Sequence, residues 1–236
     1  MRETTLNLVH SRSLADQIAD SIVEGIAAGV IAPGQRIVES ELANDLKVSR
    51  VPIREALKIL HAQGIVVSRP HHGVRVAKFD DEKIVQIYEV RCSLEKIAVR
   101  DACRRRQELP VLLAKLDAII DKMEYCLHRS DFIGVSKADL EFHHEICIAS
   151  GNDIVLTLWE ALSRHMMIVF EQELLGDAER SYIVDHHRAL RHALERQPHD
   201  ELSGEIERHI MRLRGKPVHP QEASEPVITS SRQSSV

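Results

Sequence analysis

At 236 residues, 44% hydrophobic and 28% charged, the chain has the composition of a soluble globular protein with room for two domains. It holds no apolar run of the roughly eighteen residues a membrane span needs and opens on no secretory segment, and its four scattered cysteines (Cys92, Cys103, Cys126, Cys147) fit reduced core thiols in the cytoplasm. The net charge of -5 argues against nucleic acid only until it is divided, because residues 1–78 are net +2 and the remainder net -7.

Residues 1–12 are polar and read as a flexible N-terminus. From Ser13, Leu14, Ile18, Ile22 and Ile26 recur at helical spacing and predict an amphipathic helix ending near Gly29. Pro33-Gly34 marks a turn, and a short helix over about 39–46 follows, with Leu42 and Leu46 on its inner side. Lys47-Val48 turns into the next helix, with Ser49 placed to cap it. Pro52 falls in the first turn, where a missing N–H costs little. Ile53, Ala56, Leu57 and Leu60 form the inward stripe, and Gly64 closes the helix. Arg50 and Arg54 are four apart and share a face at the helix start, which suits entry into a DNA major groove. Two β-prone runs, 65–68 and 74–77, flank Arg69-Pro70-His71-His72-Gly73 and predict a two-stranded wing. Three helices and a wing make a winged helix-turn-helix over 13–78. Residues 47–78 set seven Lys/Arg against Glu55 alone, a footprint suited to phosphates.

Beyond residue 79 the pattern is wholly helical, so the fold class is mainly α: the winged module, then an all-α bundle over 79–215. About six helices are predicted, over 81–105, 110–128, 131–150, 153–174, 178–196 and 199–214, with Gly151 and Gly176 as stops. The tail 216–236 is polar, proline-bearing and disordered in character. Titratable residues fall on the apolar stripes of three of these helices: Asp139 and His143, four apart, then His187, then His209. Buried polar groups must find one another or a cation. One carboxylate and three neutral imidazoles suit a divalent ion such as zinc or nickel, and hydrogen-bonded core histidines are the simpler alternative. His144 is turned about 100° from His143. His187 sits on a cleaner apolar stripe than His186. Arg91, among Tyr88, Leu94 and Ala98, either clamps a ligand carboxylate or pairs with Glu95. His165 and His192 are further pocket candidates. A metal-dependent hydrolase is the competing reading, with Glu141 as general base, although such an enzyme has no use for residues 1–78.

Residues 13–78 resemble the winged-helix domain of GntR-type bacterial transcription regulators, through Glu39-Ser40-Glu41-Leu42-Ala43, the run 48–57, Gly64-Ile65-Val66 and Gly73. Residues 80–215 resemble the FadR-like effector domain known as FCD. The matching pieces are Glu89-Val90-Arg91, Leu94-Glu95, Asp139-Leu140-Glu141-Phe142-His143, Ser150-Gly151-Asn152, Asp185 to Leu190, and His209. The resemblance implies a homodimer that binds double-stranded operator DNA through Arg50 and Arg54, with Ser49, Lys47, His72 and Gly73 beside the backbone. Ser40 stands where some relatives place a DNA-touching arginine. It further implies that Asp139, His143, His187 and His209 hold a metal, which helps bind a small organic acid near Arg91, Asn152 and His165. Asp185 replaces a usual glutamate, and Gly204 interrupts the last helix.

Overall fold

The computed structural model describes residues 13–69, 73–174, 182–196 and 199–213. The terminal segments, Gly176 and His72 lie outside these. The first helix, α1 (Leu14–Ala27), is capped by the Ser13 hydroxyl, which accepts from the Asp16 amide at 3.1 Å. It packs on α3 (Arg50–Ala62), and Ile18, Ile22, Ile53, Ala56 and Leu60 close the small core between them. Helix α2 (Glu39–Asp45) buries Ala43; Leu46, predicted to face inward, lies beyond its end at 36% exposure. Lys47 forms the tight turn between α2 and α3 with φ 54, a left-handed conformation.

Ser49 occupies the N-cap of α3 with extended backbone, as expected, but its side chain makes no capping bond. The C-terminal end is better closed. The Ile65 amide bonds to the Leu60 carbonyl at 2.9 Å and the Gly64 amide to the His61 carbonyl at 3.0 Å, with Gly64 at φ 73. This is a Schellman closure, which needs a left-handed residue at that point. Gly64→Ala is expected to lower stability by about 1–2 kcal/mol, a loss measurable by urea unfolding.

The wing has three strands rather than two. Strand β1 (Arg36–Ile37) pairs with β3 (Gly73–Val76), which pairs in turn with β2 (Val66–Arg69), all antiparallel. Two residues are too few to show the alternation by which strands are recognised. Gly73 has φ 71, and a Cβ there would press on the Arg36 guanidinium at 3.2 Å.

Among the described residues six helices form the second unit: α4 (Asp81–Arg104), α5 (Leu109–His128), α6 (Phe132–Ala149), α7 (Asp153–Leu174), α8 (Tyr182–Arg196) and α9 (His199–Leu213). Asp80 caps α4 by accepting from the Lys83 amide at 2.9 Å. Helix α4 is central and touches α6, α7 and α9, while α5 and α8 complete the ring. The helix α9 runs through Gly204, which faces open space. All four cysteines are buried and unpaired.

The units share α7. Met166, Val169 and Phe170 enter the bundle core, while Met167 and Ile168 enter the winged-helix core. Arg164 reaches Asp20 at 2.8 Å and Asp16 at 3.2 Å on α1, and Lys137 of α6 reaches Glu24 at 2.8 Å.

Candidate functional site

Five helices each deliver a polar side chain to one buried point of the bundle. Helix α6 supplies Asp139 and His143, α8 His187, α9 His209, α4 Arg91 and Glu95, and α7 Trp159, none more than 5% exposed. Ligand atoms of the three histidines lie within 4.8 Å of one another. His143 Nε2 stands 3.2 Å from His209 Nε2, and His187 Nε2 stands 3.0 Å from Asp139 Oδ1. These spacings approach the roughly 3.3 Å between two nitrogens bound tetrahedrally to one zinc at about 2.0–2.1 Å.

Ring protonation makes the same point. His187 Nδ1 donates to the Ile183 carbonyl at 2.8 Å, so a neutral ring turns the lone pair of Nε2 toward the Asp139 carboxylate. Without a proton on Nε2 two acceptors would face each other there, so a proton or a cation has to lie between them. His143 Nδ1 lies 2.6 Å from Glu95 Oε2, a separation that needs a shared proton and leaves its Nε2 lone pair free. The donor set therefore fits a divalent cation. His144, as expected, faces elsewhere and meets Glu160 at 3.0 Å.

Burial alone would raise the Glu95 carboxyl, but Arg91 and His143 outweigh it and bring it down to about 2. Asp139 follows the same pattern: burial opposes ionisation, and Arg91 with His187 holds the carboxyl well below the usual range. Burial pushes His143 down, and His209 further, with His187 and His143 adding to the effect. Arg91 Nε donates to Glu95 Oε1 at 2.7 Å and Nη2 reaches Asp139 Oδ2 at 3.4 Å. The i, i+4 pairing is thus present, and Nη1 is left without a partner, so one donor is still available to a carboxylate.

Two expected pocket residues stand elsewhere. Asn152 is half-buried in the turn before α7, where its Oδ1 accepts from the Val155 amide at 3.2 Å and its Nδ2 reaches Asp101 at 3.5 Å. His165 faces the winged helix, with Nε2 2.9 Å from the Gln63 carbonyl. Sequence reasoning missed the importance of Glu95 and Trp159 to the cluster. Trp159 Nε1 donates to Glu95 Oε1 at 3.0 Å, and the signal available was a single tryptophan on an apolar helix. Glu141, the general base of the hydrolase reading, pairs on the surface with Lys122 at 2.5 Å.

At the other end of the molecule Arg50, Ser49 and Lys47 are exposed together at the start of α3, with Ser40 half-buried in the first turn of α2. Among the described residues Arg50 and Lys47 have no ion-pair partner. Arg54 is exposed but held by Glu39, Nε to Oε2 at 2.7 Å. Arg36 faces Arg75 across β1 and β3 and adds a cation to the wing base that the sequence reading did not include.

Residues 14–76 match the model for bacterial regulatory proteins of the gntR family, and residues 86–212 match the FCD domain. The chain is 29% identical over 183 residues to a probable D-xylose utilization operon transcriptional repressor of Paenarthrobacter nicotinovorans, covering 78% of this chain and 79% of the relative. It is 28% identical over 198 residues to a gluconate operon transcriptional repressor of Bacillus licheniformis, covering 81% and 79%. Among solved structures, E. coli McbR/YncC superposes with TM-score 0.76 at 22% identity, over 87% of this chain and 97% of that one.

Proposed function

Because this chain belongs to the gntR family of bacterial regulatory proteins, carries an FCD domain and is a transcription regulator and not an enzyme, we propose that it is a homodimeric regulator whose helical unit senses a small organic acid at a bound divalent metal, zinc or nickel. The observation that carries the reading is the convergence of buried His187 Nε2 and Asp139 Oδ1, 3.0 Å apart, beside two further imidazoles. Asp139, His143, His187 and His209 would hold the ion. The ion would supply positive charge for an organic carboxylate, and Arg91 Nη1 is the donor left to orient that acid. The name of one relative points the same way, since it represses a gluconate operon and gluconate is a small carboxylate.

Calorimetry with zinc and with nickel tests the metal. The wild-type protein should take up one ion per chain, and Asp139→Ala and His187→Ala should bind much more weakly. At a free metal concentration one hundred times the Kd, the gain in stability is about 2.7 kcal/mol. No uptake by protein purified without chelators sinks the reading.

Among described residues no helix is long and apolar enough to cross a membrane. A homodimer would present two copies of α3 to successive major grooves about 34 Å apart. Ile154 and Leu158, four apart on α7 and 73% and 51% exposed, offer apolar surface to such a partner. Arg50 and Arg54 would read bases or phosphates, with Lys47, Ser49 and the wing at Gly73 beside the backbone. Arg50→Ala should cost about 1–3 kcal/mol of affinity for a duplex selected by binding from the organism's own genome, if the contact is a bidentate one to guanine. Unchanged affinity in a gel-shift titration removes Arg50 from the interface.

A further inference from the structure

We propose that α7 carries the state of the buried cluster to the recognition helix, and that His165 is the positioning residue at its output end. The inference builds on the reading of α3 as the DNA-reading helix and of His143 as a metal ligand.

At the input end, Trp159 Nε1 donates to Glu95 Oε1 at 3.0 Å, and the other oxygen of the same carboxylate lies 2.6 Å from His143 Nδ1. Any shift of His143 toward or away from an ion is therefore met by Glu95 and felt by Trp159. Trp159 is 3% exposed and packed in the bundle core, so it has no room to absorb the shift by itself. Six residues on, about 9 Å along the axis and about 240° round it, α7 presents His165 to the other unit.

His165 meets α3 where its backbone needs an outside donor. The Schellman closure uses the carbonyls of Leu60 and His61, while His165 Nε2 donates to the carbonyl of Gln63, the C-cap residue, at 2.9 Å. Phe79, in the link between the units, packs against the same imidazole with ring centroids 6.0 Å apart. Met167 and Ile168, the next inward residues, are already part of the winged-helix core, and Arg164 grips α1 through Asp16 and Asp20. A small displacement of α7 thus reaches the C-terminal end of α3. Because α3 is a 13-residue helix, a tilt at that end is largest at Arg50, on the order of 20 Å away.

The test is amide hydrogen exchange on the full chain with and without zinc alone, with α5 as internal reference and calorimetry in parallel. In the wild type, zinc should alter exchange at residues 60–65 by roughly three- to tenfold, the worth of one buried hydrogen bond. Trp159→Phe keeps an aromatic ring and removes the donor to Glu95. It should change exchange at 60–65 by a similar factor without zinc, although Trp159 lies on the bundle side of α7. His165→Ala should bind zinc and lose the response in α3. His165→Gln, which keeps an amide donor, should recover part of it. Zinc uptake with no change at 60–65 overturns the proposal, and so does a full response in His165→Ala. Absence of zinc uptake is a failure of the metal reading alone; the Trp159→Phe comparison then decides, and unchanged exchange at 60–65 in that variant overturns the coupling.

Discussion

Glu95→Ala is expected to destabilise the protein by about 3–5 kcal/mol, the cost of leaving a buried charge without its partner. Arg91 is 0% exposed, and its shortest ionic contact is to Glu95 at 2.7 Å, with Asp139 more distant at 3.4 Å. The same truncation strips the acceptor from Trp159 Nε1 and the carboxylate from His143 Nδ1. Glu95→Gln keeps the volume and an acceptor for Trp159, so its loss should be smaller. Replacing both partners, as Arg91→Met with Glu95→Leu, removes the stranded charge and should cost less than Glu95→Ala alone. Urea unfolding of the four proteins measures this series. A loss below about 1 kcal/mol for Glu95→Ala would mean that water or Asp139 compensates Arg91, contrary to the packing described above.

Mild acid should weaken the metal-free fold by a comparable amount. His143, His165 and His209 have ring pKa values lowered from the ordinary 6.5, each first of all by burial. The folded protein then binds fewer protons than the unfolded chain below pH 6.5, so falling pH favours unfolding. Each ring that stays neutral contributes about 1.4 kcal/mol per pH unit below that point. Between pH 7 and 5.5 a ring that stays neutral throughout removes about 1.3 kcal/mol, so the three together set an upper limit of about 4 kcal/mol, with His209, lowered furthest, nearest its full share. Stability on this account is fully present above pH 6.5. The carboxylates act in a separate window: Glu95, normally at 4.5 and here at about 2, stabilises the fold above 4.5 and is lost as pH falls toward 2. Urea midpoints that coincide at pH 7 and 5.5 would contradict the neutral-histidine assignment.

Much of this was legible in the residues, for physical reasons that also set the limit. Asp139, His143, His187 and His209 each interrupt an apolar stripe, and helical periodicity alone brings such residues inward. The Gly64 stop, the wing and nearly every helix boundary follow from local turn and capping chemistry. The relations that make the cluster work are not local. Trp159 is 64 residues from Glu95, and His165 is 102 from Gln63, so no spacing rule joins them. Arg36–Ile37 became a strand only because β3 lies alongside it. The pairing of Asp139 with Arg91 likewise needs two helices that cross in space.

The contact between Arg54 and Glu39 has a consequence for how the regulator moves through a genome. A carboxylate at the reading surface repels phosphates and competes for the arginine wherever the duplex offers no better acceptor. If α3 reads DNA as proposed, random DNA would have to break this 2.7 Å pair for little return, whereas a site that presents the right base edge could replace it. Glu39 would then lower the residence time on bulk DNA more than on the operator. A less basic reading head would spend less of its life bound to the wrong sequence.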